Sequence, residues 1–165
     1  MSEGGGFQVR VEAVQFDAAH FATFGGRCEA LHGHTYQVAA EVEGELTEDA
    51  WVVDFTRLKA ILRQICQQID HRMLLQTESR VLRVEGLGDS WRVETPDGAS
   101  YTFPAADVAG LPIDNSTAER LAEWFSARVW QALLQLGSHL HSVTVEVWEG
   151  PGQRAAYKRS YLPLP

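Results

Sequence analysis

An α+β fold with an antiparallel sheet is what the order of elements in this chain predicts. Three observations carry that reading. Apolar and polar residues alternate with period two near both ends of the chain, two separate stretches place apolar residues at helical spacing, and the order runs β-β-α, a β excursion, then α-β-β. That order favours antiparallel pairing over the repeating βα units of a parallel sheet.

The first strand reads Phe7, Val9, Val11, then Val14 and Phe16, so its phase slips near Ala13, as one extra residue in a bulge would cause. Tyr36, Val38, Ala40 and Val42 alternate with Gln37, Ala39, Glu41 and Glu43 in a half-buried strand closed by Gly44. Asp54 is placed to cap a helix whose apolar stripe is Phe55, Leu58, Ile61, Leu62, Ile65 and Ile69, with Cys66 at its edge. A second helix starts at the capping box Ser116-Thr117-Ala118-Glu119, carries Leu121, Trp124, Phe125, Val129, Leu133 and Leu136 on one face, and stops at Gly137. Val143, Val145 and Val147 then define a strand, and Ala155 to Tyr161 a last edge strand after Gly150-Pro151-Gly152. Between the helices, short strands at 81–84, 91–93 and 101–103, split by turns at 86–89 and 96–98, form a small β insertion at about 80–103. Its Trp91, Tyr101 and Phe103 read as a mini-core.

The 165 residues suit one domain, 1–165. The formal net charge of -8 argues against a nucleic-acid binder, which needs a basic surface, and no apolar stretch is long enough to span a membrane. Cys28 and Cys66 make no disulfide framework, and no secretory signal is evident, so the cytoplasm is the expected setting and Cys28 a free thiol. Met1–Gly6, glycine-rich and polar, is expected to fray.

Chemistry concentrates in two segments, Asp17-Ala18-Ala19-His20 and Cys28-Glu29-Ala30-Leu31-His32-Gly33-His34. On a strand, His32 and His34 point the same way while Gly33 points oppositely without bulk. Joined by His20 from a neighbouring strand, they make a three-nitrogen metal site with an open fourth position, the arrangement of catalytic zinc. Cys28, four residues ahead of the pair, adds a candidate base or nucleophile. Cys66 reads as core, and His139 and His141 as solvated residues in a turn.

With Phe16–His20, the Cys28–His34 run, Val53-Asp54-Phe55, Ile69-Asp70-His71, Ser116–Glu119 and Glu149 in this order, the chain resembles the family of 6-pyruvoyl-tetrahydropterin and 6-carboxytetrahydropterin synthases. The resemblance implies a tunnelling fold: four antiparallel strands with two helices on one face, assembled as trimers or hexamers with active sites between subunits. It implies zinc on His20, His32 and His34, catalytic roles for Cys28, Asp70 and His71, and pterin contacts from Glu149 and Thr117. Cys28 as thiolate then requires a cation or metal to lower its pKa. The implied reaction is the conversion of 7,8-dihydroneopterin triphosphate to 6-carboxy-5,6,7,8-tetrahydropterin, a precursor in deazapurine and queuosine synthesis. Glu29, beside Cys28, keeps two alternatives open: 6-pyruvoyl-tetrahydropterin formation, and an aldolase-like cleavage with Glu29 as the catalytic acid. A non-enzymatic pterin- or zinc-binding protein is the alternative of another class.

Overall fold

The computed structural model describes residues 6–160. The expectations for Met1 to Gly5 and for Tyr161 lie outside that range. Strand β1 (Phe7–His20) pairs antiparallel with β4 (His32–Gly44), in a register that sets His20 opposite His32 and Ala18 opposite His34. The anticipated bulge is present: the register shifts between Val11 and Val14, and Ala13 takes φ +61°. The slip lets Val11 and Val14 both face the core although they are an odd number of residues apart.

Beyond this hairpin, β10 (Leu140–Gly150) pairs with β4, and β11 (Gln153–Ser160) forms the edge outside it. The sheet does not stop at these four strands. β5 (Arg72–Gln76) runs parallel to the end of β1, and β9 (Val108–Leu111) runs parallel to β5, giving the order β11-β10-β4-β1-β5-β9. The four-stranded antiparallel expectation is therefore corrected to a six-stranded mixed sheet. The two added strands escaped sequence reading because both of their faces are covered, which erases alternation. Leu74 enters the core under the helices, while Met73 and Leu75 enter a second cluster on the opposite face.

Helix α1 (Phe55–Gln67) starts where Asp54 Oδ1 accepts the Thr56 N–H at 2.8 Å. Leu58, Ile61, Leu62 and Ile65 are buried as the stripe predicts, but Phe55 is 57% exposed, because the first turn overhangs the sheet. Helix α2 (Ala118–Leu133) is capped by Thr117, whose Oγ1 accepts the Arg120 N–H at 3.4 Å. Ser116 is thus not the cap that the capping box predicts; it is committed elsewhere. Helix α2 lies over β10 and β11, its Leu121, Phe125, Val129 and Leu133 join Tyr36, Val38, Ala40 and Val42 of β4 in one core, and Phe16 stacks on Tyr36 at 4.8 Å between ring centroids. Each such fully buried side chain contributes about 1.5–3 kcal/mol.

The insertion is a separate three-stranded sheet, β6 (Arg83–Gly86), β7 (Ser90–Glu94) and β8 (Ser100–Pro104). Its Val93, Trp91, Tyr101 and Phe103 join Phe21, Met73, Leu75 and Val108 in the second cluster. No helix among the described residues is long and apolar enough to cross a membrane.

The face of β1, β4 and β10 away from the helices is charged. Arg10 forks onto Glu146 at 2.7 and 3.1 Å, and Glu43 accepts from Lys158 Nζ at 2.7 Å, Ser142 Oγ at 2.5 Å and Gln8 Nε2 at 2.7 Å. The Lys158 and Ser142 bonds hold the Glu43 carboxyl down at about 2, from an ordinary 4.5. A depressed folded-state pKa adds stability that is present above the unfolded value and lost as pH falls through the folded one. Glu43→Gln is therefore expected to lower Tm at neutral pH, with the deficit shrinking as pH falls from 4.5 towards 2. Thermal melts across that window check it, and a deficit that is constant with pH contradicts it.

Candidate active site

His20 ends β1, His32 opens β4 opposite it, and His34 follows two residues along on the helix-side face that Tyr36 and Val38 continue into the core. Ring centroids lie 4.5 Å apart for His20 and His32, 5.1 Å for His20 and His34, and 4.9 Å for His32 and His34. One ring nitrogen from each falls within 4.8 Å of the others.

Hydrogen bonding fixes what those nitrogens present. His20 Nδ1 donates to the Ser116 carbonyl at 2.9 Å, and His32 Nδ1 donates to the Ala30 carbonyl at 2.7 Å. A neutral imidazole with its proton on Nδ1 carries a lone pair on Nε2. The two Nε2 atoms stand 3.1 Å apart, lone pair against lone pair. Such a contact repels unless a positive group lies between. Burial pushes the His20 imidazole down to about 4, which favours its neutral, metal-binding form. A divalent cation fits: three neutral nitrogens, two of them oriented by carbonyls behind them, are the donor set that zinc takes. His32 is exposed and His34 half-exposed, so this side of the cluster is open to solvent.

Gly33 explains its own place between the ligands. A Cβ there would lie 3.1 Å from the Ala18 carbonyl oxygen, a backbone atom of the partner strand.

The Phe21–Leu31 loop carries Cys28. Short strands β2 (Thr23–Phe24) and β3 (Arg27–Cys28) flank Gly25-Gly26, whose φ values of +56° and +75° suit glycine in a tight hairpin. The segment before α2 pins this loop. Asn115 Oδ1 accepts the Thr23 N–H at 2.9 Å and its Nδ2 donates to the Thr23 carbonyl at 2.8 Å, while Ser116 Oγ and Gln76 Nε2 donate to the Phe21 carbonyl at 3.1 and 3.0 Å. Ser116 therefore holds the loop by its side chain and His20 by its carbonyl. Asn115 and Gln76 left no sequence signal, and Ser116 signalled only a helix start, since the partners of all three are backbone groups far away in the chain.

Cys28 is half-buried against the second cluster and is not one of the three grouped ligands. Burial first, then the charges of Asp97 and Glu29, push its thiol up. A thiolate role for Cys28 would therefore depend on a cation to lower its pKa, as the sequence reading requires. Cys66 is buried at the helix edge, and burial pushes its thiol up to about 12, in keeping with a core role.

Asp70 and His71 do pair, with Asp70 Oδ1 3.0 Å from His71 Nδ1. The Asp17 N–H, donated to Asp70 Oδ1 at 2.9 Å, is the main cause of a lowered Asp70 pKa. His71 is 76% exposed by side chain and sits at φ +57°, a strained conformation for a non-glycine residue, with its N–H bonded to the Asp17 carbonyl at 2.6 Å. It lines a hollow with Asp17, Thr35, Met73 and Phe103, on the face opposite the α-helices.

Glu149, near the end of β10, is half-buried, and its pKa is raised by burial first and further by Glu119 and Glu29, against the opposing pull of His34 and His32. Glu119, expected to complete the capping box, is instead an exposed carboxylate close enough to act on Glu149. Thr117 sits beside it as the helix cap. Tyr36, read from sequence as core only, is fully buried, yet its hydroxyl has no hydrogen-bond partner among the described residues.

A mixed sheet backed by two helices, with three histidines gathered at its end, defines a T-fold enzyme with a candidate metal centre. The chain belongs to the family described as 6-pyruvoyl tetrahydropterin synthase, whose profile matches residues 8–160. A Methanocaldococcus jannaschii protein provisionally named 6-carboxy-5,6,7,8-tetrahydropterin synthase is 34% identical over 90% of this chain and 91% of its own. The Haemophilus influenzae 6-carboxy-5,6,7,8-tetrahydropterin synthase is 30% identical over 87% of this chain and 93% of its own. Among solved structures, a Plasmodium vivax 6-pyruvoyltetrahydropterin synthase with a catalytic glutamate replaced by alanine superposes with TM-score 0.90 at 29% identity, covering 96% of this chain and 100% of that one.

Gly33→Ala is expected to push β4 off Ala18 and spread the imidazoles, leaving less than about half the metal content of the parent after equal zinc loading. Elemental analysis of the dialysed proteins checks this, and equal occupancy contradicts it.

Proposed function

We propose that this protein is a zinc-dependent lyase of the 6-carboxytetrahydropterin synthase type, acting on 7,8-dihydroneopterin triphosphate. The observation that carries this is the pair of Nε2 lone pairs facing each other at 3.1 Å, with His34 beside them. His20, His32 and His34 hold the metal. Zinc, when bound, supplies Lewis acidity toward the vicinal hydroxyls of the substrate side chain.

The chain's own groups do the rest. Glu149, with Glu119 beside it, accepts hydrogen bonds from the pterin amino group and ring N–H, and its partial burial strengthens those bonds by keeping water away. Thr117 borders the same end of the site. Cys28, held in the thiol form by its surroundings, returns a proton to a side-chain carbon and takes one in exchange. His71, oriented by the ionised Asp70, exchanges protons with solvent. The substrate and one water give 6-carboxytetrahydropterin, acetaldehyde and triphosphate, and the pterin serves deazapurine synthesis.

Strands β9 and β11 are unpaired sheet edges within one chain, which supports closure of a strand barrel by neighbouring copies as a trimer or a hexamer. Two free cysteines support a reducing cytoplasm.

A second reading assigns Glu29 the acid–base work of an aldolase-like or pyruvoyl-forming reaction. The Plasmodium relative, with its catalytic glutamate, favours it.

Incubation of the zinc-loaded protein with 7,8-dihydroneopterin triphosphate is expected to yield 6-carboxytetrahydropterin and acetaldehyde by mass spectrometry. Cys28→Ala is expected to lower kcat by about a hundredfold or more, and Glu149→Gln to raise KM by about tenfold. Turnover that survives Cys28→Ala and is lost in Glu29→Ala transfers the chemistry to the second reading.

A further inference from the structure

The three-stranded insertion lies on the cysteine side of the site and is fastened at two points. At one, Trp91 lies over β9: a Cβ on Gly110 would meet its ring at 3.2 Å. At the other, the Tyr101 ring sits 5.4 Å from Phe21, which is fully buried and directly follows His20. Tyr101 in turn stacks on Phe103 at 6.0 Å. Phe103 and Asp107 line the hollow that also holds His71. Cys28 packs against the cluster that these residues build. One small sheet thus borders both groups assigned to proton transfer.

The turn joining β7 to β8 is rigidly tied. The Thr95 N–H donates to the Ala99 carbonyl at 2.9 Å, the Gly98 N–H donates to the Thr95 carbonyl at 3.0 Å, and the Thr95 hydroxyl donates to the Asp97 carboxylate. That hydroxyl holds the Asp97 carboxyl below its ordinary range, so the turn carries a fixed negative charge. The cluster that Cys28 packs against is Phe21 from the loop, Met73 and Leu75 from β5, Val108 from β9, and Leu82 and Val93 from the insertion, with Tyr101 and Phe103 packed on the same cluster. Charge on the thiol comes from Glu29, its sequence neighbour, and from Asp97.

We propose that the insertion is the wall of the acid–base half of the site, with Tyr101 positioning the Phe21–Cys28 segment. This rests on Cys28 serving as the acid–base group. The wall keeps the loop carrying the thiol in register with His20, and the charge of its Asp97 turn raises that thiol. An insertion that only decorated the fold would do neither.

The test is the pH dependence of Cys28 alkylation by iodoacetamide in the zinc-loaded protein, with peptide mass analysis separating Cys28 from Cys66. Asp97→Asn, which keeps a side-chain acceptor for Thr95, is expected to move the labelling midpoint down by about half a pH unit, and Asp97→Glu to restore it. Tyr101→Phe is expected to match the parent. Tyr101→Ala is expected to speed labelling several-fold and to lower kcat by about tenfold or more with KM little changed. An unmoved midpoint in Asp97→Asn, or parental labelling and kcat in Tyr101→Ala, overturns the proposal. Labelling needs no substrate, so absence of product in the turnover assay contradicts the proposed reaction, while an unmoved labelling curve contradicts the wall.

Discussion

Two ring nitrogens that repel each other organise this molecule. His20 and His32 are forced together by strand pairing, and each spends its Nδ1 proton on a backbone carbonyl. His20 cannot relieve the contact by turning over without giving up a buried hydrogen bond, a loss of about 1–3 kcal/mol, and His32 would give up its bond to the Ala30 carbonyl. A cation held by both, with His34 completing the set, would relieve the contact. The surrounding structure serves that end. Asn115, Ser116 and Gln76 fix the loop on one side, and the packing of Phe16 and Tyr36 beneath the cluster fixes the floor.

Electrostatics give the site its second character. Glu29, Glu119, Glu149 and Asp97 all act on groups within it, on a chain of formal net charge -8. Burial and these carboxylates raise both the Cys28 thiol and Glu149. A bound cation would offset this excess and lower the cost of charging either group. In the proposed reaction, metal affinity and acid–base chemistry would thereby be linked through one field, so that removing the cation would change proton affinity as well as remove a Lewis acid.

Much of this was legible in the sequence wherever one residue's role follows from local spacing. His32-Gly33-His34 states its own geometry, the slip at Ala13 states its bulge, and Asp54 states its cap. Recognition of the family added Glu149 and the Asp70–His71 pair from positions that spacing alone does not connect. What stayed hidden depends on tertiary partners. The parallel strands β5 and β9 lack alternation because both faces are covered. Ser116 fits a capping box, yet the hydroxyl and carbonyl serve the Phe21 carbonyl and His20 instead, and Thr117 takes the cap. Glu119 follows from the same shift: freed from capping, it faces Glu149. The raised Cys28 thiol was not legible because its causes, burial against the second cluster and then the charge of Asp97, come from residues distant in sequence.

X-ray absorption at the zinc edge of the loaded protein measures the central feature directly. Three imidazole nitrogens are predicted at about 2.0–2.1 Å with only light oxygen or nitrogen scatterers completing the shell. A sulfur shell near 2.3 Å, or a spectrum with fewer than two imidazoles, would contradict the histidine-centred account.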